Sequence, residues 1–137
     1  RMDSIQAAVL NVKMNYLEEW IEKRNLVAGK YLEMMKIFGN IVLPPVRKGI
    51  RHSWHLFVIR ISDRDKLTNH LKKEGIEYGI HYPLTLPEQP AFKSHYDKCR
   101  TFKAVSYSPE IISLPIGEHL DDNSVKKVVN SIERFFS

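Results

Sequence analysis

From Met2 to Phe38 the apolar positions recur at helical spacing. Met2, Ile5, Val9, Val12, Tyr16 and Trp20 line one face, and Leu26, Tyr31, Met34 and Phe38 continue it beyond a charged stretch from Glu18 to Arg24. One unbroken helix over this span would run about 54 Å, too long to lie along a domain of this size, so the pattern predicts two helices or a kink near Leu17 to Glu19. Gly39-Asn40 supplies the stop, because both residues tolerate the left-handed conformation of a helix end.

The period then shortens. Ile41-Val42-Leu43 is β-branched and ends at Pro44-Pro45, which predicts an edge strand at best. Trp54 to Ile61 alternates, with Trp54, Leu56, Val58 and Arg60 on one face and His55, Phe57, Ile59 and Ile61 on the other. Both faces are mostly apolar, so this strand is expected to be covered on both sides. Ser62 is the expected N-cap of a following helix whose inner face carries Leu67 and Leu71 and whose end is Gly75. Ile76 to Tyr82 reads as a strand interrupted by Gly79. The stretch from Pro83 to Pro109, punctuated by Pro87 and Pro90, reads as a long loop with short helical pieces; a loop of that length in a compact domain is usually functional or ordered by a partner. Ile111 to Leu114 is the last strand. Asp121 and Asp122 open a terminal helix with Val125, Val128, Val129, Ile132 and Phe136 along one side. The order predicts an α+β fold: a small, mainly antiparallel sheet with flanking helices, preceded by a long, kinked helix.

Composition narrows the function classes. The 137 residues carry 43% hydrophobic and 27% charged side chains, which excludes a disordered or fibrous chain. No run approaches about 18 apolar residues, so no membrane span is expected, and the first residues lack the apolar core of a signal peptide. The one cysteine, Cys99, excludes an internal disulfide and a cysteine-only metal site, and it suits a reducing, cytoplasmic compartment. The chain starts at Arg1 inside a helical pattern, which raises the expectation that something precedes it.

The net charge of +5 invites a nucleic-acid reading, and the element order is similar to part of a ferredoxin-like fold. Against it, no aromatic-plus-glycine run and no GxxG loop is present, and the basic residues are interleaved with acids (Lys72-Lys73 beside Glu74). Nucleic acid is therefore not the expected partner, although a stand-alone basic ferredoxin-like domain binding nucleic acid or protein remains the alternative. His52 and His55, three apart on a strand, would point to opposite faces and could not share a metal, so no metal site is expected. His70 sits on a helix face expected to be solvated. Cys99 lies between Lys98 and Arg100, which could lower its pKa, but no His and Asn arrangement accompanies it. Glu18-Glu19 and Asp121-Asp122 read as a solvated face and a helix cap. His81 stands out because it ends a strand and opens the proline-rich loop, where sites gather; the alternative is a partly buried His bonded to a loop carbonyl.

Three segments together carry a resemblance: Arg1-Met2-Asp3-Ser4-Ile5-Gln6-Ala7-Ala8; Gly79-Ile80-His81-Tyr82-Pro83 continued by Gln89-Pro90-Ala91-Phe92; and Ile112-Ser113-Leu114-Pro115 before the terminal helix. In order and spacing they resemble the DegT-type, StrS-like sugar aminotransferases, pyridoxal-phosphate enzymes of fold type I, and Trp54 to Arg60 is similar to that family's strand between the first two. The resemblance implies the C-terminal part of such an enzyme, with residues 1–38 as the helical segment leading from a large domain and residues 39–137 as the small domain. It implies a homodimer that transfers an amino group, typically from glutamate, to a keto group of a nucleotide-linked sugar. The lysine that holds the cofactor belongs to the large domain, and no lysine here matches it, so no catalytic residue is assigned and the 137 residues alone are expected to be inactive. His81 and Tyr82 match the loop that approaches cofactor and sugar, which implies a substrate-binding role for both. Two departures stand out: Pro87 replaces a His that commonly reaches the substrate, and Ala104-Val105 replaces Ala-Glu.

Overall fold

The computed structural model describes residues 2–92 and 103–137. Two helices stand where the pattern predicted a kinked span. Helix α1 (Ser4–Met14) is capped by Asp3, whose carboxylate accepts from the Gln6 amide at 2.8 Å. Helix α2 (Leu17–Met35) follows directly, so the break falls at Asn15 and Tyr16, just ahead of the predicted kink. The two helices differ in what they bury. Helix α1 buries nothing and leaves Ile5, Val9 and Val12 exposed, whereas α2 buries Val27, Ala28, Tyr31 and Met35.

The sheet is small. Strands β1 (Phe57–Arg60) and β2 (Ile111–Leu114) run antiparallel, pairing Phe57 with Leu114 and Arg60 with Ile111. Single bridges extend it on both sides, Val42 to Arg60 and Gly79 to Ser113. The predicted strands at 41–43 and 76–82 are thus reduced to one bridging residue each. β1 is also shorter than predicted, because Trp54 takes a left-handed φ of 47° that no strand continues through. That conformation is held from several directions. The Trp54 amide donates to His52 Nδ1 at 2.8 Å, its carbonyl accepts from Arg24, and its buried indole donates to Asn25.

Helix α3 (Arg64–Lys73) starts after Asp63, not Ser62. It ends as the glycine predicted. Gly75, at φ 66°, donates to the Lys72 carbonyl, and Ile76 donates to the Leu71 carbonyl at 2.9 Å, a Schellman motif whose two apolar members are both buried. His70, expected to be solvated, instead bonds the Ser131 carbonyl through Nε2 at 2.9 Å and packs beside Phe135. Helix α4 (Lys103–Tyr107) is short, and α5 (Asp122–Phe136) closes the chain.

Directly paired residues of an antiparallel ladder share a face. Phe57, Ile59, Ile112 and Leu114 point to the helices and join Tyr31, Met35, Leu67, Leu71, Val128 and Ile132 in one core. Val58, Arg60, Ile111 and Ser113 occupy the opposite face. Of these, Val58 and Arg60 are only half-buried, so β1 is fully covered on one side rather than two. The sheet therefore separates the packed core from a second, partly open face.

Two consequences follow for stability. Ser131 is wholly buried between α3 and α5, and its hydroxyl has no hydrogen-bond partner among the described residues. Ser131→Ala should therefore stabilise the fold by about 1 kcal/mol in urea titrations, since it removes an unsatisfied polar atom without opening a cavity of note. Asp121 caps α5 by accepting from the hydroxyl and the amide of Ser124 at 2.6 and 2.8 Å, and these bonds hold its carboxyl below the ordinary value of 3.8. A depressed carboxyl stabilises the fold above its unfolded pKa and loses that contribution as pH falls through the lower folded value. Asp121→Asn keeps a cap oxygen but not the charge, so its melting temperature should fall less steeply than the parent's on the acid side.

Candidate functional site

The second face of the sheet carries a groove of about 920 Å³, the size range of small-molecule sites. One wall is the segment from His81 to Pro87 with Gln89; the other is Ala104, Tyr107, Ser108 and Ile111. Both sequence-singled residues line it.

His81 is held by the sheet. Its Nδ1 lies 2.9 Å from the Ser113 hydroxyl, and Ser113 is buried on β2. A serine hydroxyl can donate or accept, so either imidazole tautomer keeps this bond. Nε2 is left without a partner among the described residues and is the atom available to a ligand. Gly79 makes the arrangement possible. It exchanges two backbone bonds with Ser113, at 3.0 and 2.8 Å, and the His81 ring packs directly over it. A Cβ placed on Gly79 would meet the ring at 2.4 Å, closer than atoms approach without displacement. Tyr82 follows with its ring edge-on to His81 at 5.6 Å and is 70% exposed.

Beyond Pro83 the wall is stiffened locally. The Glu88 carboxylate accepts from the Thr85 amide at 2.9 Å and from its hydroxyl at 2.7 Å, bonds that lower the Glu88 pKa and close the 3-10 turn Leu86–Glu88. A second 3-10 turn, Pro90–Phe92, continues it. These are the short helical pieces expected in the long loop. The far wall is fastened to β1 and α3: the Arg60 guanidinium lies 3.5 Å from the Tyr107 ring centroid and bonds Glu110, while Arg64 donates to the Ser108 carbonyl at 3.0 Å.

Ser113 entered the sequence reading only within the segment Ile112-Ser113-Leu114-Pro115, with no site role, and Tyr107 not at all. Ser113 had a usable signal, a lone hydroxyl within the apolar run Ile111-Ile112-Ser113-Leu114; Tyr107 had none. His52 serves the Trp54 turn and His55 is exposed, so neither enters the groove. His95 and Cys99 lie outside the described residues. No helix among the described residues is long and apolar enough to cross a membrane.

An α+β layer with one sheet face packed by helices and the other lined by a His-Tyr-Pro loop presents an open groove in the size range of small-molecule sites. The chain belongs to the DegT/DnrJ/EryC1/StrS aminotransferase family, whose model matches residues 1–133. Among its relatives, the erythromycin biosynthesis sensory transduction protein EryC1 of Saccharopolyspora erythraea is 36% identical over 134 residues, 97% of this chain and 37% of the relative. The dTDP-3-amino-3,4,6-trideoxy-alpha-D-glucose transaminase of Streptomyces venezuelae is 32% identical, over 98% of this chain and 36% of the relative. The crystal structure of S. venezuelae DesV in complex with a ketimine intermediate superposes with a TM-score of 0.92 at 30% identity, over 98% of this chain and 37% of that one. The chain thus spans little more than a third of the length of the curated relatives it matches, 36% and 37% of the two named.

Proposed function

We propose that these 137 residues are the small domain and leading helices of a longer sugar aminotransferase, and that the groove is the sugar-facing wall of its active site. One observation carries the reading: the family match and the structural likeness both run through the loop that builds the groove. The relatives extend it, since their names assign them amino transfer on dTDP- and UDP-linked sugars. Residues 1–38 are read as the segment leading from the large domain and residues 39–137 as the small domain. The exposed apolar face of α1 then packs on the large domain or on the second subunit of a homodimer. The single cysteine suits a cytoplasmic enzyme.

Pyridoxal phosphate, when bound, supplies the electron sink for moving an amino group from glutamate to the keto sugar. The groove residues fit a substrate wall more than a cofactor cradle: among the described residues no lysine or arginine lines it. The covalent lysine and the phosphate contacts are therefore assigned to sequence outside these residues, and the 137-residue chain alone is expected to be inactive. In this role His81 Nε2 hydrogen-bonds a sugar oxygen, held in place by Ser113. Tyr82 packs against the ring, and the two walls exclude water from the reacting carbon.

Glutamate added to the pyridoxal-phosphate form of the full-length protein should convert the bound cofactor to its pyridoxamine form, followed by absorbance. A second reading, a family regulator that binds the cofactor without turning over sugar, is favoured by the names of two relatives at 36% and 34% identity, a sensory transduction protein and a pleiotropic regulatory protein. Cofactor binding with no conversion selects it; no cofactor binding overturns both.

A further inference from the structure

We infer that Tyr107 is the surface on which the groove seats the face of a sugar ring, and that Arg60 is the positioning residue that sets its plane. The inference rests on the functional reading above and adds two residues to it. A hexose ring offers two kinds of surface, hydroxyl groups around its rim and C–H groups on its faces. The His81 wall suits the rim, through a ring nitrogen fixed by Ser113. Tyr107 lies on the opposite wall and is half-buried, so part of its ring reaches the groove while the rest is held in the structure. An aromatic side chain there gives a large apolar contact at a small cost in side-chain freedom.

What holds that ring is an arginine outside the groove. Arg60 lies on the same open face of the sheet, and its guanidinium carbon stands 3.5 Å from the centre of the Tyr107 ring. That approach takes up one face of the ring and leaves the other face and the edge to the groove, whose lining does not include Arg60. Arg60 is itself fixed. Its Nε donates to Glu110 at 3.2 Å, and its backbone exchanges two bonds with Val42 at 2.9 and 3.0 Å. The Tyr107 carbonyl accepts from the Glu110 amide at 2.9 Å, so ring, guanidinium and carboxylate form one closed unit. Helix α4 needs such a tie, because its five residues are too few to hold a side chain's direction by helix formation alone. A planar guanidinium stacked on a ring fixes its plane, which an ammonium of the same charge does not.

The test uses the full-length protein in its pyridoxal form, which has no amino group to transfer and so binds a keto sugar without reacting; calorimetry then reads Kd directly. The probes are a dTDP-linked keto-hexose, chosen for the dTDP-sugar relatives, and dTDP alone. Tyr107→Ala should raise Kd for the sugar at least about tenfold and leave Kd for dTDP within about twofold. Tyr107→Phe, which keeps the ring, should match the parent with both probes. Arg60→Met should raise Kd for the sugar about threefold to fivefold in the parent and not at all in Tyr107→Ala, because the ring that it orients is gone. An unchanged Kd in Tyr107→Ala overturns the inference, and so does an equal loss of dTDP affinity, which would seat the nucleobase there instead. Equal effects of Arg60→Met in both backgrounds overturn the positioning role. In each of these cases glutamate conversion of the cofactor still upholds the functional reading. A parent that binds neither probe and fails that conversion overturns the two together.

Discussion

Tyr31→Ala is expected to remove about 3–5 kcal/mol of stability, a large share of what a domain of this size holds. Tyr31 is wholly buried on α2 with its ring 5.0 Å from that of Phe57 on β1, so it is a central contact between helix and sheet in the shared core. Its hydroxyl donates to the Pro115 carbonyl at 3.0 Å, just beyond β2. Deleting the ring opens a cavity between three elements that cannot all close on it, and it orphans a carbonyl. Tyr31→Phe separates the two effects: the ring stays, and the loss should be about 1–2 kcal/mol for the hydrogen bond and the stranded acceptor. Burial also pushes the Tyr31 hydroxyl well above its ordinary pKa of 10.0. Above that pH the unfolded chain ionises while the folded one does not, so stability falls, and Tyr31→Phe should flatten this part of the alkaline limb. Urea titrations of the three proteins at neutral and alkaline pH check both claims; a loss below about 1 kcal/mol for Tyr31→Ala would mean the core is not joined here.

Gly79→Ala should damage the site while sparing the fold. Gly79 is not in the left-handed region, so alanine fits its backbone, and the bridge to Ser113 can persist. The added Cβ falls 2.4 Å from the His81 ring and 3.0 Å from Nδ1, which forces the imidazole off Ser113. If His81 positions the sugar, a displacement of about 1 Å is enough to lower kcat/KM for the keto sugar by roughly 100-fold. On the same reading, a half-reaction with glutamate that leaves this contact unused should hold its rate. Ser113→Ala removes the tether without crowding the ring and should give a smaller loss of the same kind. Equal losses in both half-reactions would point to a general structural defect instead.

Much of the fold was legible because its signals are local. The α5 face was read from the spacing of Val125, Val128, Val129 and Ile132, and all four are buried. Gly75 marked the end of α3, and Ile111 to Leu114 is β2 to the residue. The misreadings share a cause. Trp54 and His55 belong to an alternating pattern, but a left-handed Trp54, fixed by Arg24 and Asn25 from a helix about 30 residues away, delays the start of the strand to Phe57. Ile76 to Tyr82 has strand-like composition, yet only Gly79 reaches the ladder, because the chain turns to seat His81 over it. His70 looked solvated since nothing in its own helix reveals the Ser131 carbonyl opposite.

The site divides the same way. His81 and Tyr82 were visible through their place at the mouth of a proline-rich loop and through the family resemblance. The rest of the groove was not, because Leu84, Leu86 and Tyr107 sit in segments without a period, and only tertiary packing gathers them on one face of the sheet.

The role proposed for this groove is the sugar wall of an amino-transferring enzyme. It is tested most directly by a single turnover: the pyridoxamine form of the full-length protein is mixed with a nucleotide-linked keto sugar, and both cofactor absorbance and the amino sugar are followed. The parent should return the pyridoxal form with a stoichiometric amino sugar, and His81→Ala should be markedly slower. A parent that forms no amino sugar, or a His81→Ala variant as fast as the parent, would contradict it.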